Sequence, residues 1–245
     1  MKILVIGDSC IDKFIYGDIE RIAPEAPVPV IKPERSTENP GMAANVAANL
    51  EALGANVNLY TNDTKIKKIR YVDNRSNQMV LRVDENDNCE RIDILQWHLD
   101  EYNAIVISDY CKGFLTSYDI AHISKIAKCP VFLDTKKQLG EWCSQIDYIK
   151  INDLEHRKNF ETIPNYPMLQ DKLIVTQGPK GCLYKEKIYP VQVVPVKDVS
   201  GAGDTFIAGL VYEYVKSNNI EKAINFAQEC TTSVVQKPGV ATIKN

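Results

Sequence analysis

The chain has 245 residues, 44% hydrophobic and 25% charged, with a net charge of −3. This length holds one α/β domain with or without a small appendage, and the composition is that of an ordinary globular protein. There is no long basic run to serve as a nucleic-acid footprint, and no apolar run reaches the ~18 residues of a membrane span, so neither nucleic acid nor membrane is an expected partner.

Lys2-Ile-Leu-Val-Ile6 opens the chain as a buried strand with no signal-peptide pattern. The seven scattered cysteines include no C-x-x-C, as expected of reduced thiols in a cytoplasmic protein. Phe14–Pro33 is proline-punctuated extended chain, which belongs at a sheet edge. Ala43–Leu53 has helical periodicity, with Val46, Leu50 and Leu53 on one face and Gly54 as a stop. Val57–Thr61 is a strand, and Lys67–Asp84 alternates like one. Together with the segment near residues 13–35, residues 67–84 predict a small sheet projecting from the main body. Further on, helices are expected at Arg91–Glu101, Ser117–Ala127, Asp204–Lys216 and Ile220–Gln236. Strands are expected at Ala104–Ser108, Val131–Asp134, Tyr148–Ile151, Leu173–Thr176, Cys182–Tyr184 and Ile188–Val194. This alternation predicts a single α/β domain over 1–245 with a largely parallel sheet.

Five segments carry chemistry. Asp198-Val-Ser-Gly-Ala-Gly-Asp-Thr-Phe206 is a glycine-rich turn entering a helix. Gly201 and Gly203 allow close backbone approach, the helix N-terminus favours an anion, and Asp204 is placed to accept a hydroxyl proton. A third glycine is missing where Phe206 stands, and no Walker A pattern occurs, so dinucleotide-binding and P-loop readings fall away. Pro40–Asn45 precedes a helix and offers Asn45 as donor and acceptor to a polyol; an ordinary helix start reads the same way. Gly7-Asp-Ser-Cys-Ile-Asp12 follows the first strand, where Asp8 and Asp12 either accept from sugar hydroxyls or form a turn. Asn152-Asp-Leu-Glu155 sets two oxygens for a hydrated Mg²⁺, or is a helix capping box. Thr176–Gly181 is a glycine-rich turn that lines a nucleotide site or simply closes a hairpin.

In this order, Gly41-Met-Ala-Ala-Asn45, Asn152–Glu155 and Asp198–Phe206 resemble the motifs of the ribokinase-like (PfkB-type) carbohydrate kinases. The resemblance implies a three-layer α/β/α core with a mainly parallel sheet and a β-sheet lid. It also implies ATP as donor, Mg²⁺, and a monovalent cation as a further candidate. Asp204 becomes the base, the amides of Gly201, Ala202 and Gly203 the anion hole, and Gly41, Asp12 and Asn45 the sugar site. Thr176, Gly178, Gly181, Asn152 and Gln228 fall beside the nucleotide, and Asn152 and Glu155 at the metal. The segments Arg21–Val30, Asn77–Asp84, Ser108–Gly113 and Val235–Gly239 are similar to the kinases of bacterial ADP-heptose synthesis, which phosphorylate C1 of a heptose 7-phosphate. For that phosphate, Arg70, Arg75, Arg82 and Lys112 are candidates, since guanidinium groups bind phosphate bidentately; a solvated lid face is the alternative. A kinase for another sugar or a nucleoside, and a sugar- or nucleotide-binding homologue with impaired catalysis, remain as alternatives. Lid strands pair between subunits in the family, which implies a homodimer. Three departures stand out: Met42 replaces a family glycine, Gln228 stands where asparagine is frequent, and Thr61–Arg70 is short.

Overall fold

The computed structural model describes residues 1–93 and 98–243. In chain order the first elements are β1 (Lys2–Gly7), β2 (Ser9–Ile22), β3 (Pro29–Met42), α1 (Ala43–Ala52), β4 (Asn56–Thr61), β5 (Ile66–Asp73) and β6 (Met79–Glu85). After them come β7 (Ala104–Asp109), α2 (Ser117–Ile126), β8 (Val131–Thr135), β9 (Tyr148–Asn152) and α3 (Asp153–Lys158). The chain then forms β10 (Leu173–Thr176), β11 (Cys182–Tyr184), β12 (Lys187–Tyr189), α4 (Ala202–Ser217) and α5 (Ile220–Val234).

The eight-stranded sheet runs β12-β11-β10-β9-β8-β7-β1-β4, parallel from β10 to β4 and antiparallel at the β11 and β12 end. Its strands read as continuous apolar runs because both faces are covered. Ile3 and Val5 of β1 pack with α1, α4 and α5, while Leu4 and Ile6 pack on the opposite face with Ile120 and Ile123 of α2. Chain order reverses at β1, whose neighbours are β7 and β4, so a ligand crevice is expected beyond the carboxyl ends of these strands.

The smaller sheet is the lid, ordered β3-β2-β5-β6. Its strands reach further than the sequence predicts, β2 from Ser9 and β3 as far as Met42. Cys10 pairs with Gly41 and Asp12 with Asn39, so Asp12 and Gly41 ride on the root of the lid. The prolines at 29, 33 and 40 all lie in β3, an edge strand, where their missing N–H breaks no ladder.

The short Thr61–Arg70 segment is a direct passage from core to lid. Residues 62–65 connect β4 to β5, and Asn62 clamps them by accepting from Ser9 N–H at 2.7 Å and donating to Thr64 C=O at 2.6 Å. Two expectations fail. The helix over Arg91–Glu101 is absent from 91–93 and 98–101, and 94–97 lie outside the described residues. Ile92 N–H instead donates to Phe114 C=O, and Arg91 pairs with Asp119, so this stretch is bound to the loop after β7 and to the first turn of α2. The strand over Ile188–Val194 ends at Tyr189, because Pro190 and then Pro195 remove the donors that would continue the ladder. Among the described residues no helix is long and apolar enough to cross a membrane.

Candidate active site

The turn before α4 is held from both ends. Asp198 accepts from Ser200 N–H at 2.8 Å and from Gly239 N–H at 3.1 Å. Gly201 has φ 78°, and a Cβ there would stand 2.5 Å from Asn45 Nδ2, so only glycine fits. Ala202 N–H donates to Val199 C=O at 3.1 Å, which commits the middle amide of the expected anion hole to the turn itself. The amides of Gly201 and Gly203 are the ones left to face an anion.

Asp204, in the first turn of α4, is almost fully buried. Asn45 Nδ2 donates to one carboxylate oxygen at 3.0 Å and the Tyr110 hydroxyl to the other at 2.7 Å. Burial pushes the Asp204 carboxyl up to about 6, against the pull of those two hydrogen bonds. This gives an acid–base group poised near neutrality beside a helix N-terminus. Tyr110 is the counterpart: burial, then the nearby Asp204 charge, hold its hydroxyl well above the ordinary range, so it stays a donor.

Asn45 is oriented in turn by Asn49, whose Nδ2 donates to its side-chain oxygen at 3.0 Å. At the lid root Asp12 pairs with Arg70, and Gly41 lies against it, a Cβ there standing 2.1 Å from Asp12 Oδ2. Asp8 is not available to a sugar. Its carboxylate accepts from Tyr110 N–H at 2.6 Å and Phe114 N–H at 3.3 Å, so it fixes the loop that delivers Tyr110.

Met42 caps α1 with φ 61°, a conformation that favours the glycine it replaces. Its side chain is buried with Cys10 and Ile66 at the joint of lid and core, so its bulk fills that joint.

Cross-strand register sets Asp12, Lys68 and Asp84 in one row of the lid and Phe14, Arg70 and Arg82 in the next. Lys68 Nζ lies 5.0 Å from the Tyr110 ring centre, so this is the face over the site. Each expected cation already has an acid: Arg82 has Asp84 at 2.5 Å, and Lys112 has Asp87 at 2.5 Å. Arg75 is placed elsewhere, exposed and paired with Glu20.

Asn152 and Glu155 form the capping box of α3. Asn152 Oδ1 accepts from Glu155 N–H at 2.9 Å, and Glu155 Oε2 from Asn152 N–H at 2.8 Å. The remaining oxygen of Glu155 pairs with Lys136, which also lies 3.9 Å from Asp134 Oδ1, a buried oxygen with no hydrogen bond. Burial works against the Lys136 ammonium, but Asp134 and Glu155 more than offset it and raise its pKa. Two carboxylate oxygens thus converge on one cationic position. That set suits a Mg²⁺ held mostly by phosphates and water, with Asp134 taking the place expected of Asn152. Among the described residues no group of three or more acidic, histidine or cysteine side chains could hold a metal alone.

Thr176, Gly178, Gly181 and Gln228 line one cleft with Ala202, Gly203 and Phe206. Thr176 also pairs with Cys182 across antiparallel β10 and β11, as the hairpin reading of Thr176–Gly181 expects. Gln228 donates to Pro190 C=O at 3.2 Å, and its side-chain oxygen is buried without a partner. An acceptor left open in this cleft fits a ring amino group.

Sequence reasoning missed Tyr110, Lys136 and Asp134, and also Lys150, whose buried ammonium donates to Asp134 at 2.8 Å. The signal for Lys150 was available, as a lysine inside the apolar strand Tyr-Ile-Lys-Ile. Tyr110 carried none, because its hydroxyl reaches Asp204 across 94 residues of chain.

The sequence profile described as pfkB family carbohydrate kinase matches residues 61–245. The bifunctional protein HldE of Escherichia fergusonii is 30% identical over 295 aligned positions, covering 98% of this chain and 61% of HldE. The chain therefore spans about three-fifths of the length of the curated relatives it matches. Among solved structures, a ribokinase from Thermotoga maritima superposes with TM-score 0.71 at 18% identity, covering 97% of this chain and 94% of the other. A nucleoside kinase of the ribokinase family from Methanocaldococcus jannaschii gives TM-score 0.71 at 18% identity, with 98% and 93% covered.

Proposed function

The chain belongs to the pfkB family of carbohydrate kinases, and from that premise we propose that it transfers the γ-phosphate of ATP to C1 of a heptose 7-phosphate-type sugar. The observation that carries the kinase chemistry is Asp204, buried at the mouth of a glycine turn with its carboxyl at about 6. The sugar hydroxyl is held between Asp204 and the Asn45 amide. Asp204 takes the proton as the oxygen attacks phosphorus, and the amides of Gly201 and Gly203 face the phosphoryl oxygens. Asp134 and Glu155 would hold Mg²⁺, which supplies positive charge to the β- and γ-phosphate oxygens. The cleft between Gly181 and Gln228 takes the adenine.

Lys68, Arg70 and Arg82, in two adjacent rows on the site face of the lid, support a phosphorylated sugar, because they offer cations above the acceptor site. A neutral sugar or nucleoside is favoured by a different observation: Arg70, Arg82 and Lys112 are each already paired with an acid. An ATP-consumption screen over sugars, nucleosides and sugar phosphates, heptose 7-phosphate included, separates the two. Turnover confined to unphosphorylated acceptors would discard the heptose-phosphate reading. Tight ligand binding with no ATP consumption on any acceptor would indicate an impaired homologue, a reading that the intact Asp204 and turn glycines oppose.

The lid also supports a homodimer. Ile11, Ile15, Ile69, Tyr71, Leu81 and Val83 fall on its outer face by register, and the edge strand β6 is exposed throughout. Its mass in solution tests this.

A further inference from the structure

Lys150 lies in β9, directly across from Asp134 of β8, and its side chain is 4% exposed. Its ammonium donates to Asp134 Oδ2 at 2.8 Å. It also packs against the backbone of the glycine turn, 2.8 Å from where a Cβ on Gly203 would stand. Among the described residues no other acceptor lies within hydrogen-bond reach of this buried ammonium, which has three protons to give. Taking a lysine and a carboxylate out of water together is costly, and an apolar pair in their place is often no less stable. Nothing in the core packing calls for a charge at this position. The turn that it touches, however, is where negative charge arrives in the reaction.

We propose that Lys150 is a catalytic residue that contacts the transferring phosphoryl group from beneath the Gly201–Gly203 turn, with Asp134 as the positioning residue that aims it. This rests on the kinase reading above. The sugar oxygen forms its bond to phosphorus as the bond from phosphorus to the β,γ-bridging oxygen breaks. The hydroxyl proton goes to Asp204, the electron pair leaves with ADP, and Lys150 keeps its proton throughout. Its unpartnered N–H groups meet the oxygens of the phosphoryl group, where charge must be dispersed. Lys136, on the other side of Asp134, faces Glu155 and the Tyr110 ring, so the two lysines serve different places. The Lys150 charge also helps to keep Asp204 ionised, in keeping with its place between base and phosphate.

The test uses the full chain with Mg²⁺ and compares calorimetric binding of ADP with that of a non-hydrolysable ATP analogue. Lys150→Met is expected to leave ADP binding within about two-fold while weakening the triphosphate analogue by roughly 10- to 100-fold, the range of a charged hydrogen bond. In the same variant kcat is expected to fall by at least as much with the KM for sugar little changed, and Lys150→Arg to restore part of the loss. Losing Lys150 alone leaves Asp134 short of its partner. Lys150→Gln, which keeps a neutral donor for Asp134, is therefore read in the same way, with folding checked by circular dichroism. Equal losses for ADP and the triphosphate analogue, or unchanged kcat, in a folded variant would overturn the role of Lys150 and leave the kinase reading standing. A natural protein that binds neither nucleotide would overturn both.

Discussion

As the proposed base, Asp204 must be ionised to take a proton, yet it is buried where ionisation is unfavourable. Asn45 and Tyr110 ease that conflict by each donating to one of its oxygens. Tyr110→Phe removes one donor, so the acid limb of the kcat/KM profile is expected to move above about 6. Activity would then drop several-fold at pH 6 and approach the natural value at pH 8, measured by ATP consumption across pH. Asp204→Asn is expected to lower kcat by roughly 100-fold or more, and near-normal turnover would remove Asp204 from the base role. The same change should stabilise the fold. The folded carboxyl sits near 6 against an ordinary 3.8, so the native state disfavours the ionised form. That penalty grows as pH rises from about 4 to about 6 and is constant above. Asp204→Asn should therefore gain up to about 3 kcal/mol at pH 8 and nothing below pH 4, read by urea titration. At Met42, φ 61° costs about 1–2 kcal/mol, while its burial against Cys10 and Ile66 is favourable. Glycine relieves the strain and alanine does not, so Met42→Gly should be more stable than Met42→Ala by about 1 kcal/mol in thermal unfolding.

At the scale of elements, the lid separates its two faces by strand alternation. Even-numbered residues of β2 and β5 face the site, and odd-numbered ones carry the apolar outer face. If subunits pair through that outer face, as proposed, a charge placed on it should break the pairing without touching the site. Leu81→Lys/Val83→Lys is expected to shift the protein from dimer to monomer in light scattering, with ATP turnover per chain retained in large part. The sequence revealed both lid segments through their prolines and alternation. It did not reveal that β2 starts at Ser9 and β3 runs to Met42, because pairing across the sheet, which no local pattern encodes, extended them. Local chemistry did end the strand at Tyr189, where prolines follow. The helix expected over Arg91–Glu101 is opposed by contacts from residues far along the chain, Phe114 and Asp119.

At the scale of the whole molecule, the short connection at 62–65 passes the chain straight from β4 into the lid and leaves β4 as an edge strand. Core and lid are thereby tied together at Asn62, which holds Ser9 and Thr64. If the lid cations read a sugar phosphate, neutralising Arg82 and Arg70 together should raise KM for a phosphorylated sugar by roughly 10-fold or more and leave kcat for a neutral sugar nearly unchanged. Equal effects on both acceptors would assign these arginines to the lid's own ion pairs. The parallel core and the glycine turn with its acid were legible in sequence alone, because apolar runs and glycine conformation act within a few residues, while the cap spacing at Asn152–Glu155 left a metal site and a capping box both open. Asp204's surroundings were not. Asn45, Tyr110, Asp134 and Lys150 come from separate elements and meet only when parallel strands bring their carboxyl ends side by side. The proximity of buried charges that sets the acid's pKa and aims the lysine is a property of that packing.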